Sequence, residues 1–283
     1  AEGRRGESLT WEIREYLFYC RRRVTVKCMW FATRSAIIII GKQGHIGGSG
    51  VILIADVKSA IFVFRIIISG VLDMKTTTIF QGAATAIITP ITRDGVDFDA
   101  FGRLIDWQIE SGIDALVVSG TTGESSTMTD EEHRDVIAYA VKRVAGRVPV
   151  IAGTGSNDTD YAVDLTRFAC QAGADAALVV TPYYNKATQK GLVKMYSTIA
   201  DASSIPLILY NVPSRTGVNI EPATFAELAD HPMISGIKEA GGNISKVVQT
   251  RALVGDKLDL YSGNDDQVIP LLAMGGKGVI SVL

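Results

Sequence analysis

Cysteine is scarce in this chain. Cys20, Cys28 and Cys170 are the only three in 283 residues, and no C-x-x-C pair occurs. So sparse and odd a set excludes a disulfide framework and a cysteine-rich metal site, and fits a reducing, cytoplasmic setting. An excess of one charge is also missing. With 28 Lys+Arg against 30 Asp+Glu the net charge is −2, which argues against a nucleic-acid-binding protein. No G-x-S-x-G elbow is present, so a Ser-His-Asp hydrolase is excluded. The glycine-rich stretch GKQGHIGGSG (41–50) completes neither a G-x-G-x-x-G fingerprint nor a P-loop, and is expected to be a linker. A clean membrane span is lacking as well. The apolar run from Val51 to Leu72 is broken by Asp56, Lys58 and Arg65, and each such charge at mid-bilayer costs roughly 2.5–3.5 kcal/mol. Nor do the basic and apolar regions end in the small-residue cleavage site of a signal peptide.

Apolar residues make up 47% and charged residues 20%, a globular balance. The length suits one large domain or two small ones. The charge divides at Met74. Residues 1–73 hold 11 Lys/Arg and 6 Asp/Glu, or +5; residues 74–283 hold 17 and 24, or −7. The first part has a basic cluster (Arg21, Arg22, Arg23, Lys27) and an isoleucine run (Ile37–Ile40) but no regular pattern. Its expected status is a non-native extension, upstream sequence translated by mistake with Met74 as the natural start. A membrane-associated leader is the alternative.

From Gly82 onward, short β-branched runs alternate with amphipathic stretches. Strands are expected at 83–88, 113–118, 148–152, 175–180, 206–210, 234–238, 258–261 and 278–283. Continuous apolar runs of this length suit strands buried on both faces, as in a parallel sheet. Helices are expected at 99–111, 129–145, 157–172, 189–202, 221–230, 243–254 and 264–274. Thr129 and Glu132 form a capping box ahead of a stripe of Val136, Ile137, Ala140, Val141 and Val144. Asn157 is placed to cap its helix and Gly173 to end it. The segment SGIDALVV (111–118) is echoed by AGADAALV (172–179), and the two glycines lie 61 residues apart with one strand between. About 30 residues per strand–helix unit, repeated eight times, predicts an α/β fold of the (β/α)8 TIM-barrel type. An open doubly wound sheet would show a glycine fingerprint after its first strand, where Thr89-Pro90 stands instead. The pattern stops after strand eight, so the barrel of residues 74–283 is expected to be truncated, without its eighth helix.

Chemistry in such a barrel belongs at the strand ends. Lys238 closes an apolar strand. Burial would depress its pKa and leave a neutral amine able to attack a carbonyl, whereas the bland alternative is a rim lysine paired with Glu239. Tyr210 ends the preceding strand and could shuttle a proton, or could simply be a core tyrosine. Thr121 and Thr122, between two glycines, could present hydroxyls and N–H groups to a small carboxylate, or form an ordinary turn. Arg215, in a Pro/Gly loop, is either a solvated charge or a fork for a carboxylate. Together these residues suit aldol chemistry on a 2-oxo acid. Metal chemistry finds little support. His133 and His231 lie in or at the end of helices, His45 lies in the extension, and Asp265-Asp266 suits a solvated loop.

Six segments, GTTGES (120–125), VIAGTGSN (150–157), TPYYNK (181–186), LYNVPSRTG (209–217), GIKEA (236–240) and GGKGVISV (275–282), give residues 79–283 a close resemblance to the dihydrodipicolinate synthase family of pyruvate-dependent class I aldolases. The resemblance implies condensation of pyruvate with L-aspartate-semialdehyde in lysine and diaminopimelate biosynthesis, in the cytoplasm, with no metal and no organic cofactor. It implies that Lys238 forms the Schiff base and that Tyr210 is the proton donor and acceptor. It further implies a proton relay through Thr121 and Tyr184, the latter reaching in from a neighbouring subunit of a homodimer or homotetramer. Thr122 would hold the pyruvate carboxylate, Arg215 the carboxylate of the semialdehyde, and the backbones of Gly263 and Ile280 would line the pyruvate pocket. The superfamily also contains N-acetylneuraminate lyase and sugar-acid aldolases, which remain the alternative; the P-S-R-T-G run favours the synthase. Asp130 and Tyr161 replace a histidine and a glutamate where family members bind inhibitory L-lysine, so feedback is expected to be weak. The family's eighth helix and C-terminal helical region have no counterpart here, and residues 1–73 have none in the family.

Overall fold

The structure, a computed structural model, describes residues 78–282 and, nearer the start, the backbone of four strands. Contacts divide the chain into two compact units, Ala1–Met74 and Lys75–Leu283. In the first unit, β1 (Arg14–Cys20), β2 (Val24–Trp30), β3 (Ala36–Lys42) and β4 (Gly50–Ile54) pair consecutively and antiparallel. Lys27 falls in β2 and the isoleucine run in β3. This sheet was not expected from the sequence, although its β-branched content suits strands. The cluster Arg21–Arg23, most of the glycine-rich stretch and the run beyond Ile54 lie outside the described residues, as does Leu283.

The second unit is the expected barrel. Its strands are β5 (Gly82–Ala86), then, past a short hairpin of β6 (Ile91–Thr92) and β7 (Gly95–Val96), β8 (Ala115–Val118), β9 (Val150–Gly153), β10 (Ala176–Val180), β11 (Leu207–Asn211), β12 (Ile234–Glu239), β13 (Asp259–Ser262) and β14 (Gly278–Ser281). All eight main strands are parallel, and β14 closes the ring on β5 with Gly278 opposite Gly82. A Cβ on Gly278 would lie 1.9 Å from the Gly82 carbonyl oxygen, so closure requires glycine at that point. Every residue of β8, β11 and β12 is buried, which explains why their sequences show no alternation. The internal echo has a physical cause too. Asp114 accepts the Ala83 N–H at 2.8 Å and Asp175 accepts the Val150 N–H at 2.9 Å, each tying the start of one strand to its neighbour.

Outside the barrel lie α1 (Phe98–Glu110), α2 (Asp130–Val144), α3 (Thr159–Ala172), α4 (Gln189–Asp201), α5 (Pro213–Thr216), α6 (Pro222–Leu228), α7 (Ile244–Val254) and α8 (Val268–Ala273). The Thr129–Glu132 capping box forms, and Val136, Ile137, Ala140 and Val144 are buried beneath α2. Two expectations need correction. Asp158, not Asn157, caps α3, because only its carboxylate reaches the N–H groups of Asp160 and Tyr161. The Asn157 carbonyl instead accepts from the Asn185 side chain at 2.8 Å. The helix expected at 264–274 is broken into a 3-10 turn, Asp265–Gln267, and the short α8; Pro270 is tolerated there because it falls in the first turn.

Candidate active site

On β12 the side chains alternate, and Lys238 turns into the barrel. Its register partner on β11 is Tyr210. The Lys238 Nζ lies 4.4 Å from the centre of the Tyr210 ring, and the two residues are 3% and 8% exposed. Burial, helped by the nearby Arg215 cation and opposed by Asp265, lowers the lysine pKa from 10.5 to about 8. At pH 7 about a tenth of the amine is then neutral, against roughly three parts in ten thousand at the ordinary value. Burial also raises the Tyr210 pKa, partly offset by Arg215, so the phenol holds its proton at neutral pH. The rim ion pair between Lys238 and Glu239 is not formed. Glu239 faces the opposite side of the strand and takes its hydrogen bonds from Asn211 and Gly241.

A cavity of about 270 Å³ opens beside this pair and is lined in part by Thr121, Tyr210 and Arg215. Arg215 sits on α5, a single turn begun by Pro213 and ended by Gly217 at φ 71°. The buried Thr181 hydroxyl donates to Thr216 at 2.8 Å and fixes that turn against the end of β10. Gly263 lies on the other side of Lys238. A Cβ there would sit 3.2 Å from the lysine Cε and 2.9 Å from the Ala240 Cβ, so the backbone approaches the amine where no side chain could. Lys238, Gly263, Thr122, Tyr184 and Ile280 are not among the residues that line this cavity. Thr122 is half-buried in the turn. Ile280 is fully buried in the barrel interior. Tyr184 is 90% exposed and held at φ 71°, a left-handed conformation unusual for a tyrosine.

Ser119, Ser125, Ser126 and Thr216 also line the cavity and were not singled out in the sequence. Ser119 is the most telling. It follows β8 at φ 52°, and its buried hydroxyl has no hydrogen-bond partner among the described residues. No sequence signal marks such a backbone conformation at a serine. The two histidines among the described residues have ordinary structural partners: His133 Nε2 lies 3.0 Å from the Gly153 carbonyl and His231 pairs with Asp201.

A buried lysine over a buried tyrosine, at the C-terminal mouth of a (β/α)8 barrel, is the kind of site that Schiff-base-forming enzymes use. The comparisons narrow this. Residues 79–283 match the Dihydrodipicolinate synthetase family, and the chain belongs to that family. Over 205 residues it is 57% identical to a 4-hydroxy-tetrahydrodipicolinate synthase of Acetivibrio thermocellus, covering 72% of this chain and 70% of that protein. It is 53% identical over 205 residues to the enzyme of the same description from Thermoanaerobacter sp. strain X514, covering 69% of it. Among solved structures it resembles the dihydrodipicolinate synthase of Aquifex aeolicus, at 48% identity and a TM-score of 0.70, over 72% of this chain and 70% of that one. It is similar by the same score and coverage, at 47% identity, to a chloride-inhibited dihydrodipicolinate synthase from Acinetobacter baumannii complexed with pyruvate.

Proposed function

We propose that this chain condenses pyruvate with L-aspartate-semialdehyde to give 4-hydroxy-tetrahydrodipicolinate. The observation that carries the reading is the Lys238 amine, buried yet near neutrality, held over Tyr210. The neutral amine adds to the C2 carbonyl of pyruvate, and the carbinolamine loses its hydroxyl as water when a proton is supplied. Tyr210, kept protonated by burial, supplies it in this reading. The resulting iminium draws electrons from the methyl group, which gives up a proton to form an enamine. Enamine carbon then attacks the aldehyde of the second substrate, forming the carbon–carbon bond, and the semialdehyde's own amine displaces Lys238 to close the ring. One water leaves in imine formation and none is consumed in release.

In this reading Thr122 holds the pyruvate carboxylate, and the backbones of Gly263 and Ile280 line the pyruvate pocket. Arg215, exposed at the cavity mouth, takes the carboxylate of the semialdehyde. Thr121 passes protons between Tyr210 and solvent, joined by the partner subunit's Tyr184. A tyrosine held outward in a left-handed conformation suits service to a second copy of the chain, so a homo-oligomer is part of the proposal. A cytoplasmic location is part of the proposal; among the described residues no helix is long and apolar enough to cross a membrane. The test is a steady-state assay on the full chain. Turnover of pyruvate with L-aspartate-semialdehyde is expected, with little or none when N-acetylmannosamine replaces the semialdehyde. The reverse preference would overturn the assignment in favour of a sugar-acid aldolase.

A further inference from the structure

One residue beyond the reactive pair, on the opposite face of the same two strands, lies a buried carboxylate with no part in the chemistry above. Glu239 follows Lys238 on β12 and Asn211 follows Tyr210 on β11; they are register partners, 8% and 2% exposed. Successive side chains leave a strand on opposite faces, so this second pair points away from the barrel interior. The Asn211 amide donates to both carboxylate oxygens, at 3.1 and 3.0 Å, and the Gly241 N–H donates at 2.5 Å. Asn211 cannot turn over, because its oxygen accepts the Ile220 N–H at 3.0 Å. A Cβ on Gly241 would lie 2.5 Å from a Glu239 carboxylate oxygen, so a larger residue there would push that carboxylate aside. The backbone joins in: Ala240 N–H donates to the Asn211 carbonyl and Gly263 N–H to the Glu239 carbonyl. The nearby Lys246 is itself bound to Glu221 at 2.8 Å. Burying a carboxylate on neutral donors is costly, and the arrangement calls for a reason.

The register of β11 against β12 supplies one. It slips between Leu207 and Ile208, which pair with Ile234 and Gly236 and leave Ser235 as the extra residue. The ladder is therefore irregular at its start and must be fixed further along. A slip of one residue would send Lys238 to the outer face. We propose that Glu239 and Asn211 are positioning residues, a buried clamp that locks β11 to β12 and so holds the Lys238 amine over the Tyr210 ring. The proposal rests on Lys238 and Tyr210 doing the chemistry assigned to them.

The test uses the full chain and four variants: Glu239→Gln, Asn211→Asp, the two combined, and Thr166→Val as a control. Thr166 is buried on α3 and bonded to Thr154, away from the pair. The readouts are the rate of borohydride-trapped pyruvate adduct, kcat, KM for the semialdehyde and the melting temperature. Glu239→Gln sets an amide N–H against the Asn211 N–H, and Asn211→Asp sets carboxylate against carboxylate. Each is expected to lower the adduct rate and kcat tenfold or more per folded molecule, with KM for the semialdehyde within twofold. Together they restore one donor facing one acceptor and should recover the rates to within threefold of wild type. Thr166→Val should lower the melting temperature and leave kcat per folded molecule unchanged. Should Asn211→Asp fail to fold, Glu239→Gln alone decides. Wild-type adduct rate and kcat per folded molecule in Glu239→Gln would overturn the clamp while the proposed function stands. No adduct in the wild type would instead overturn that function, and the clamp with it.

Discussion

Replacing Lys238 by methionine should make the protein more stable at neutral pH. The amine is 3% exposed, and its pKa falls from 10.5 to about 8 because burial disfavours the charge. Below pH 8 both folded and unfolded chains carry the proton, and the folded chain bears the full cost of burying it. Above 10.5 both are neutral and the cost vanishes. The wild type therefore gains stability from this residue as pH rises from about 8 to 10.5. That interval corresponds to roughly 3 kcal/mol. Methionine is close in length, unbranched and uncharged, so it removes the cost. The net expectation is a variant roughly 3 kcal/mol more stable at pH 7, with most of the advantage gone near pH 10.5, and with no adduct formed on pyruvate and borohydride. Urea denaturation of both proteins at pH 7, 9 and 10.5 measures this, since titrations elsewhere cancel in the difference. Equal stability at pH 7, or a gap that does not change with pH, would refute the reasoning that a buried charge is what readies this amine.

Tyr210→Phe keeps the ring beneath the amine and removes only the proton source; kcat should fall about 10²- to 10⁴-fold while the melting temperature stays close to wild type. Arg215→Ala should raise KM for the semialdehyde far more than it slows adduct formation, and the pH midpoint of trapping should move upward because that cation helps to hold Lys238 low; equal loss of both steps would make Arg215 structural. Inhibition by L-lysine should be weak, since Asp130 is already paired with Arg134 at 2.9 Å and Tyr161 supplies no charge; inhibition at micromolar lysine in a turnover assay would contradict this.

Most of the barrel was legible because parallel strands buried on both faces leave continuous apolar runs, and because glycine, proline and capping residues mark the helices between them. The cap of α3 was misplaced by one residue, since Asn157 and Asp158 are both good caps and only the local geometry decides between them. The turn α5, four residues long, has no periodicity to detect, yet it carries Arg215. The hairpin of β6 and β7 is too short to show alternation. In the site, Lys238 and Tyr210 were visible as polar residues closing apolar strands. Glu239 was visible too, but its neighbour in sequence suggested a partner that strand alternation forbids. Its true partner, Asn211, lies 28 residues away and is brought alongside only by a register containing a slip. Ser119 owes its place to a left-handed backbone that no sequence pattern records. The four strands nearest the start lie among basic and glycine-rich segments whose composition suggested no regular structure.

The central claim is that one particular amine forms an imine with pyruvate. The full chain is incubated with pyruvate, reduced with borohydride, digested and mapped by mass spectrometry. The expected result is a single reduced pyruvyl adduct, on Lys238, appearing faster as pH rises toward 8 and absent without pyruvate. An adduct on another lysine, or none on the folded protein, would contradict it.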